Sequence, residues 1–206
     1  MNLLEKIHET YVRNRRVNVL ARELTALLPR GRILDIGAGD GLLASLIQKQ
    51  NKDVTLTGID VLVRDRSHIP ILYFDGTVVP FADDSFDAVM LIDVLHHTED
   101  PTVLLREAAR VSREMIVIKD HLTDRFAAES TLLFMDQVGN RRYDVALPNN
   151  YWPTHKWFEI FRSLNLKLRE WKPAVHLYPR PVDWFFGGSL HFIAQLQVNS
   201  FQTGRP

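Results

Sequence analysis

The chain has 206 residues, 46% of them hydrophobic and 24% charged, enough to bury one core and short for two, so a single domain over residues 1–206 is expected. Lysine plus arginine equals aspartate plus glutamate at 25 each, a formal charge of zero that supplies no global field for nucleic acid or an anionic membrane. The absence of cysteine excludes disulfides, thiolate metal sites and a cysteine nucleophile.

Apolar residues from Leu3 to Leu28 recur at roughly helical spacing and stop at Pro29-Arg30-Gly31, which predicts one or two helices forming an amino-terminal cap over residues 1–30. The run Arg32 to Ile36 suits a parallel strand carrying one buried-looking acid, Asp35, and Leu42 to Gln50 continues as a helix. Between them stand Gly37, Ala38, Gly39, Asp40 and Gly41. Glycines at alternate positions of a strand-to-helix turn accept positive φ and let the backbone approach a ligand, so this turn reads as a cofactor seat. A dinucleotide fingerprint would want its third glycine at position 42, which is Leu42. Asp35 beneath the loop would repel a pyrophosphate and welcome a cationic ligand such as a sulfonium with an amino group. With the acid and all three glycines present, residues 33–41 resemble motif I of the class I S-adenosyl-L-methionine (SAM) dependent methyltransferases, and the resemblance implies SAM as cofactor.

Asp53 to Ile59 alternates as a second strand and ends at Asp60, about 20 residues beyond the glycine loop, where a doubly wound sheet offers an acid to ribose hydroxyls. Val61, next to it, is assigned to the same pocket. Only about ten residues, Val61 to Ile69, precede the third strand, Pro70 to Phe74, so the intervening crossover helix is short or missing. That strand leads to Asp75-Gly76, and Val79-Pro80-Phe81-Ala82-Asp83-Asp84-Ser85-Phe86-Asp87 leads into a fourth strand, Ala88 to Ile92. Asp93 ends it, followed by Val94-Leu95-His96-His97-Thr98-Glu99-Asp100-Pro101. These stretches resemble the ubiquinone-biosynthesis-type methyltransferases. By that resemblance Asp75 meets the adenine amino group, Gly76 and Asp93 lie against the cofactor, and Leu95-His96-His97 stands at the mouth of the methyl-transfer pocket. An ordinary Asp-Gly turn is the other reading of Asp75.

Asp100-Pro101 supplies an N-cap and first-turn pair for a helix over 101–113, and Met115 to Ile118 is the fifth strand. The segment Asp120 to Pro153 is long and rich in apolar and aromatic residues near the carboxyl ends of the strands, and is assigned as an acceptor lid. Within it Asn140, Tyr151 and Trp152 are substrate-binding candidates, as are His97 and, from the amino-terminal cap, Tyr11; Arg141 and Arg142 are candidates for an acceptor carboxylate. A helix over 154–164 and two strands, Leu166 to Trp171 and Leu190 to Gln197, complete an α/β fold. The expected architecture is a Rossmann-like seven-stranded sheet, mostly parallel with an antiparallel last strand, and helices on both faces.

Methyl transfer demands alignment above all, with a base needed only if the acceptor must lose a proton. His96 and His121, each just past a strand's carboxyl end, are the catalytic candidates. No metal is expected, because His155, His176 and His191 are spaced too irregularly for a metal motif. The favoured reading is a methyltransferase for a small, partly apolar acceptor in metabolite biosynthesis. A SAM-binding protein of the same fold with a non-methylating reaction, and a non-catalytic partner subunit, are the alternatives. A small molecule is the expected partner, with a homodimer as a further one. No 18-residue apolar stretch marks a membrane span, and a cytoplasmic location is expected.

Overall fold

The computed structural model describes residues 3–140 and 148–199, with side chains from residue 14 to 137 and from 148 to 199. The side chains of Tyr11 and Asn140, and Arg141 and Arg142 altogether, lie outside the described residues. In chain order the elements are α1 (Leu3–Thr25), β1 (Gly31–Ile36), α2 (Leu42–Gln50), β2 (Val54–Asp60), β3 (Ile71–Tyr73), β4 (Phe86–Ile92) and a 3-10 turn (Leu95–His97). There follow α3 (Pro101–Val111), β5 (Ser112–His121), α4 (Ala128–Asn140), α5 (Thr154–Ser163), β6 (Leu166–Lys172), α6 (Val182–Phe186) and β7 (His191–Val198).

One seven-stranded sheet runs in the order β3-β2-β1-β4-β5-β7-β6. The neighbours from β3 to β5 pair in parallel, while β7 is antiparallel to both β5 and β6, as the Rossmann-like expectation has it. Alternation along the strands divides the apolar residues between the two faces. Leu34 and Ile36 of β1, Val89 and Leu91 of β4, and Ile116 and Ile118 of β5 join Leu104, Leu105 and Ala108 of α3 and Trp157 and Phe161 of α5. The intervening Ile33, Ala88, Met90 and Val117 join Leu20, Ala21 and Leu24 of α1 and Ala44 and Ile47 of α2. The strand order turns back between β1 and β4, so a crevice opens at their carboxyl ends.

Local chemistry starts and stops the elements. The Asp100 side chain accepts from Thr102 N at 2.9 Å and Pro101 occupies the first turn of α3, whose buried face is Leu104, Leu105, Ala108 and Val111. No helix forms between β2 and β3, in keeping with the shortness of that connection. Besides shifts of one or two residues at other element ends, two strands depart from the sequence reading. The third strand shortens to Ile71–Tyr73, and the fifth lengthens to Ser112–His121. The extension carries Lys119, Asp120 and His121, which the hydropathy pattern assigns to a loop; pairing with Ile193, Phe192 and His191 of β7 keeps them in the sheet, all buried. Among the described residues no helix is long and apolar enough to cross a membrane.

Candidate active site

The glycine turn is built by backbone bonds to β2. Gly37 N and Ala38 N both donate to Ile59 O, at 2.8 and 3.1 Å, and Gly41 N closes the turn onto Ala38 O at 2.9 Å. Gly37 and Gly39 have φ of 75° and 61°, which favours glycine at both, but the space around them differs. A Cβ at Gly37 would lie 2.4 Å from Val94 Cγ2, so the protein itself fills that space. At Gly39 the nearest atom is Arg64 Nη2 at 3.5 Å, which leaves that backbone open to a ligand. Asp60 hooks the same loop from the end of β2: its Oδ2 accepts from Gly39 N at 2.7 Å and its Oδ1 from Leu62 N at 2.8 Å. Asp35 is 3% exposed, and burial followed by the nearby Asp60 charge raises its carboxyl well above the usual range. A cationic ligand above the loop is what would restore its charge.

Over this turn lies a cavity of about 390 Å³ spanning the ends of β1 to β4, lined by Gly37, Gly39, Asp60, Val61, Asp75, Gly76, Asp93 and His97 of the sequence-derived residues. Ala38 and Gly41 shape the turn without lining the cavity. Leu62, Arg64, Phe74, Val94, Thr98 and Leu104 also line it, and they carry no short-range motif that would mark them. The Asp75 Oδ1 accepts from Thr77 N, Thr77 Oγ1 and Val78 N at 2.8 to 2.9 Å, so this acid makes the Asp-Gly turn as well as facing the cavity. An open glycine backbone, an acid oriented at the end of β2, a buried acid beneath and a largely apolar roof fit an adenosine-bearing cation such as SAM.

Asp93 ends β4 with φ of 57° and is clasped from two sides, its Oδ2 bonded by Arg16 of α1 and its Oδ1 by Lys119 of β5. Burial pushes its carboxyl up, but Lys119 and Arg16 outweigh burial and hold it far below the usual range. Lys119 is fully buried, and its Nζ also lies 3.2 Å from His191 Nδ1.

Beyond Asp93 is a buried cluster of imidazoles and carboxylates. His96 Nδ1 lies 2.7 Å from Asp120 Oδ1, with both side chains 1% exposed. Burial lowers the His96 pKa, but Asp120 and Asp136 overcome that and raise it to about 10. Its other nitrogen, Nε2, faces Asp136 Oδ2 of α4 at 3.4 Å, and the Tyr151 hydroxyl donates to that same oxygen. The His121 ring centre is 4.5 Å from that of His96. Burial, then Lys119 and His96, push His121 well below its ordinary value, so it is neutral. Its Nδ1 has no hydrogen-bond partner among the described residues; oxygens of Asp93 and Asp120 lie 3.6 and 3.7 Å away. The Tyr151 ring stacks over both, 5.5 Å from His96 and 5.8 Å from His121. The His97 ring, 3.9 Å from that of His96, lines the cavity, so the cluster borders it.

The segment assigned as a lid begins and ends in the sheet. Asp120 and His121 belong to β5, and Leu122 forms a parallel bridge with Trp152. Trp152 sits in the main core against Trp157, at 5.0 Å between ring centres, away from the cavity lining. Asn150 staples the returning chain to the His96 turn: its backbone N–H donates to His96 O at 2.8 Å, and its Oδ1 accepts from Trp152 Nε1 at 2.7 Å. Sequence reasoning missed Arg16 and Lys119 as site residues and did not single out Asp120 or Asp136, because their partners lie on elements distant in sequence.

The sheet order, the glycine turn held by Asp60 and the cavity at the reversal of strand order define the fold and cofactor site of the class I SAM-dependent methyltransferases. The chain belongs to the methyltransferase-domain family, whose profile matches residues 9–170. Ubiquinone biosynthesis O-methyltransferase of Azorhizobium caulinodans is 29% identical across the whole chain and 84% of its own length. The chain spans only 40% of 27-O-demethylrifamycin SV methyltransferase of Amycolatopsis mediterranei, at 34% identity over 110 residues that make up 46% of the chain. Among solved structures, a SAM-dependent methyltransferase from Thermotoga maritima overlays with a TM-score of 0.66 over 96% of both chains at 17% identity. The cyclase SpnF overlays with a TM-score of 0.61 over 89% of this chain and 80% of its own at 17% identity, so the fold does not by itself set the reaction.

Proposed function

We propose that the protein methylates a hydroxyl group of a small, partly apolar acceptor, with SAM as the methyl source. The observation that carries this reading is the cluster of buried His96 and His121 with half-buried Asp136 and Tyr151 bordering the cofactor cavity. When bound, SAM supplies a methyl carbon already activated as an electrophile. Gly39 and Asp60 would hold it through backbone and ribose contacts, and Asp35 would balance its positive charge. The protein's remaining tasks are to place the acceptor in line, exclude water and take charge of the hydroxyl proton. The cluster of His96, His121 and Asp136 beside the cavity is where the hydroxyl proton would be drawn away. His97 stands at the cavity wall and the Tyr151 ring lies over the two imidazoles. The name of the relative matched over the full chain, an O-methyltransferase of quinone biosynthesis, supports oxygen as the accepting atom.

The test is release of S-adenosylhomocysteine from SAM across matched panels of phenols, aliphatic alcohols, amines and activated carbon acids. Turnover with hydroxylated acceptors that falls strongly in His121→Ala is expected. Tight SAM binding with no demethylated product from any acceptor would reassign the site to a reaction that binds the cofactor without consuming it.

A further inference from the structure

We propose that His96, His121 and Asp136 form a binding site for a divalent cation of the zinc type, placed at the acceptor end of the cavity. This inference deepens the hydroxyl-methylation reading and rests on it for the ion's purpose, though not for its binding. One ligand atom from each of the three side chains lies within 4.8 Å of the others. They come from three elements: the turn after β4, the end of β5, and α4.

The hydrogen bonding of His96 argues for an ion. Nδ1 is committed to Asp120, which fixes the ring and leaves Nε2 facing Asp136 Oδ2 at 3.4 Å. A charge-assisted N–H···O bond between these atoms would be about 2.7 to 2.9 Å long. The observed gap is longer, a weak hydrogen bond, and matches the edge of a tetrahedron, ~3.3 Å, whose bonds to the centre are about 2.0 to 2.1 Å. A carboxylate on the far nitrogen of a ligating imidazole is the usual outer support of a metal-bound histidine, and Asp120 occupies that place. Bringing His121 to the same spacing requires a shift of at most about 1.5 Å.

His121 supplies an independent observation. It is 5% exposed, and its Nδ1 lacks a hydrogen-bond partner among the described residues, a cost that calls for an explanation in a buried group. Two cations stand nearby, the half-buried Arg16 and the buried Lys119, but both bond Asp93, leaving Asp120 and Asp136 as the carboxylates bearing on His96. Asp136, 16% exposed, gives an ion access from solvent. Three protein ligands leave an open position, the pattern of catalytic rather than structural zinc, where an acceptor hydroxyl would bind, become more acidic and pass its proton to solvent water as its oxygen takes the methyl group. The spacing 96, 121, 136 follows no sequence motif, so the expectation of no metal had nothing in the sequence to oppose it.

The experiment is titration of the chelator-stripped chain with Zn²⁺ by calorimetry and with Co²⁺ by visible absorption, without SAM or acceptor. We expect one ion per chain and cobalt d–d bands of low coordination number. Asp136→Asn and His121→Gln, both near-isosteric and checked for folding by thermal melts, should each weaken binding by about a hundredfold or more, and Asp120→Asn by about 10- to 100-fold. His176→Gln, at an exposed histidine, should leave binding unchanged. A stripped wild type that takes up no stoichiometric Co²⁺, or uptake that survives both Asp136→Asn and His121→Gln, overturns the site. Hydroxyl methylation that persists in chelator overturns the ion's part in the reaction while sparing the methyltransferase reading. Stoichiometric binding lost in the variants supports the site even if no acceptor is ever methylated.

Discussion

Asp120 Oδ1 and His96 Nδ1 lie 2.7 Å apart in a fully enclosed pair, and Asp120 also accepts from Leu95 N at 3.1 Å and His121 N at 2.8 Å. One carboxylate therefore fixes both the imidazole and the backbone of the turn that carries it. Removing its charge in Asp120→Asn should destabilise the metal-free chain by about 3 kcal/mol near pH 6. The sign of the pH dependence follows from His96, whose folded pKa is about 10 against an unfolded 6.5. Its contribution is fully present below 6.5 and is lost as pH rises through 10, so the gap between wild type and variant should narrow toward pH 10. Urea unfolding across that range checks it, and a gap independent of pH would exclude a charged His96.

Asp60 holds the loop and faces the cavity, so Asp60→Ala should act on affinity more than on folding. Loss of one or two charge-assisted hydrogen bonds to the ribose, each about 1.5 to 3 kcal/mol, should weaken SAM and S-adenosylhomocysteine at least tenfold by calorimetry. Unchanged affinity would remove Asp60 from the cofactor site.

Asp35 should show a trade between stability and binding. Its carboxyl pKa is raised by burial, then by Asp60, so its proton-bound form stabilises the fold below the ordinary carboxylate range, and that stability is lost as pH rises through the higher folded value. Asp35→Asn should therefore raise the melting temperature of the ligand-free protein at neutral pH, with the gain vanishing in acid. The same variant should bind SAM less well. A destabilised Asp35→Asn at neutral pH would contradict the first half, and unchanged SAM affinity the second.

The glycines of the turn should separate. Gly37→Ala places its Cβ 2.4 Å from Val94 Cγ2 in addition to the backbone cost, and should destabilise by about 2 to 4 kcal/mol. Gly39→Ala meets nothing closer than Arg64 Nη2 at 3.5 Å and should cost roughly 1 to 2 kcal/mol while sharply reducing SAM binding. Melting curves paired with cofactor titrations distinguish them, and equal losses of stability in both would refute the distinction.

The cofactor side was legible because its signals are short-range: three glycines and Asp35 within one turn, and Asp60 at the end of the next strand. The sheet followed from the apolar runs, whose residues face both cores. Reading by hydropathy stopped where polarity began, which cut β5 short at Ile118 although Lys119, Asp120 and His121 are held in register by β7. The chemistry at that end depends on contacts between distant elements, 24 residues apart for His96 and Asp120 and 77 for Arg16 and Asp93. Such contacts leave no periodic trace. Trp152 shows the converse error: an aromatic in a long loop suggests a pocket wall, but its ring packs on Trp157 in the core.

The bridge between Leu122 and Trp152 also bears on how new specificities are made in this scaffold. Because the chain departs and returns at adjacent positions, about 4.8 Å apart as in neighbouring strands, the span between them is a cassette with fixed sockets. Closing a loop twice as long across the same sockets costs only ~0.6 kcal/mol more, so segments of different length are interchangeable there on thermodynamic grounds. The sheet, the glycine turn and Asp60 would be indifferent to such an exchange, whereas Asp136 and Tyr151 would travel with the cassette. Grafting another segment between these anchors is thus a route to change which acceptor is chosen while the methyl donor stays the same.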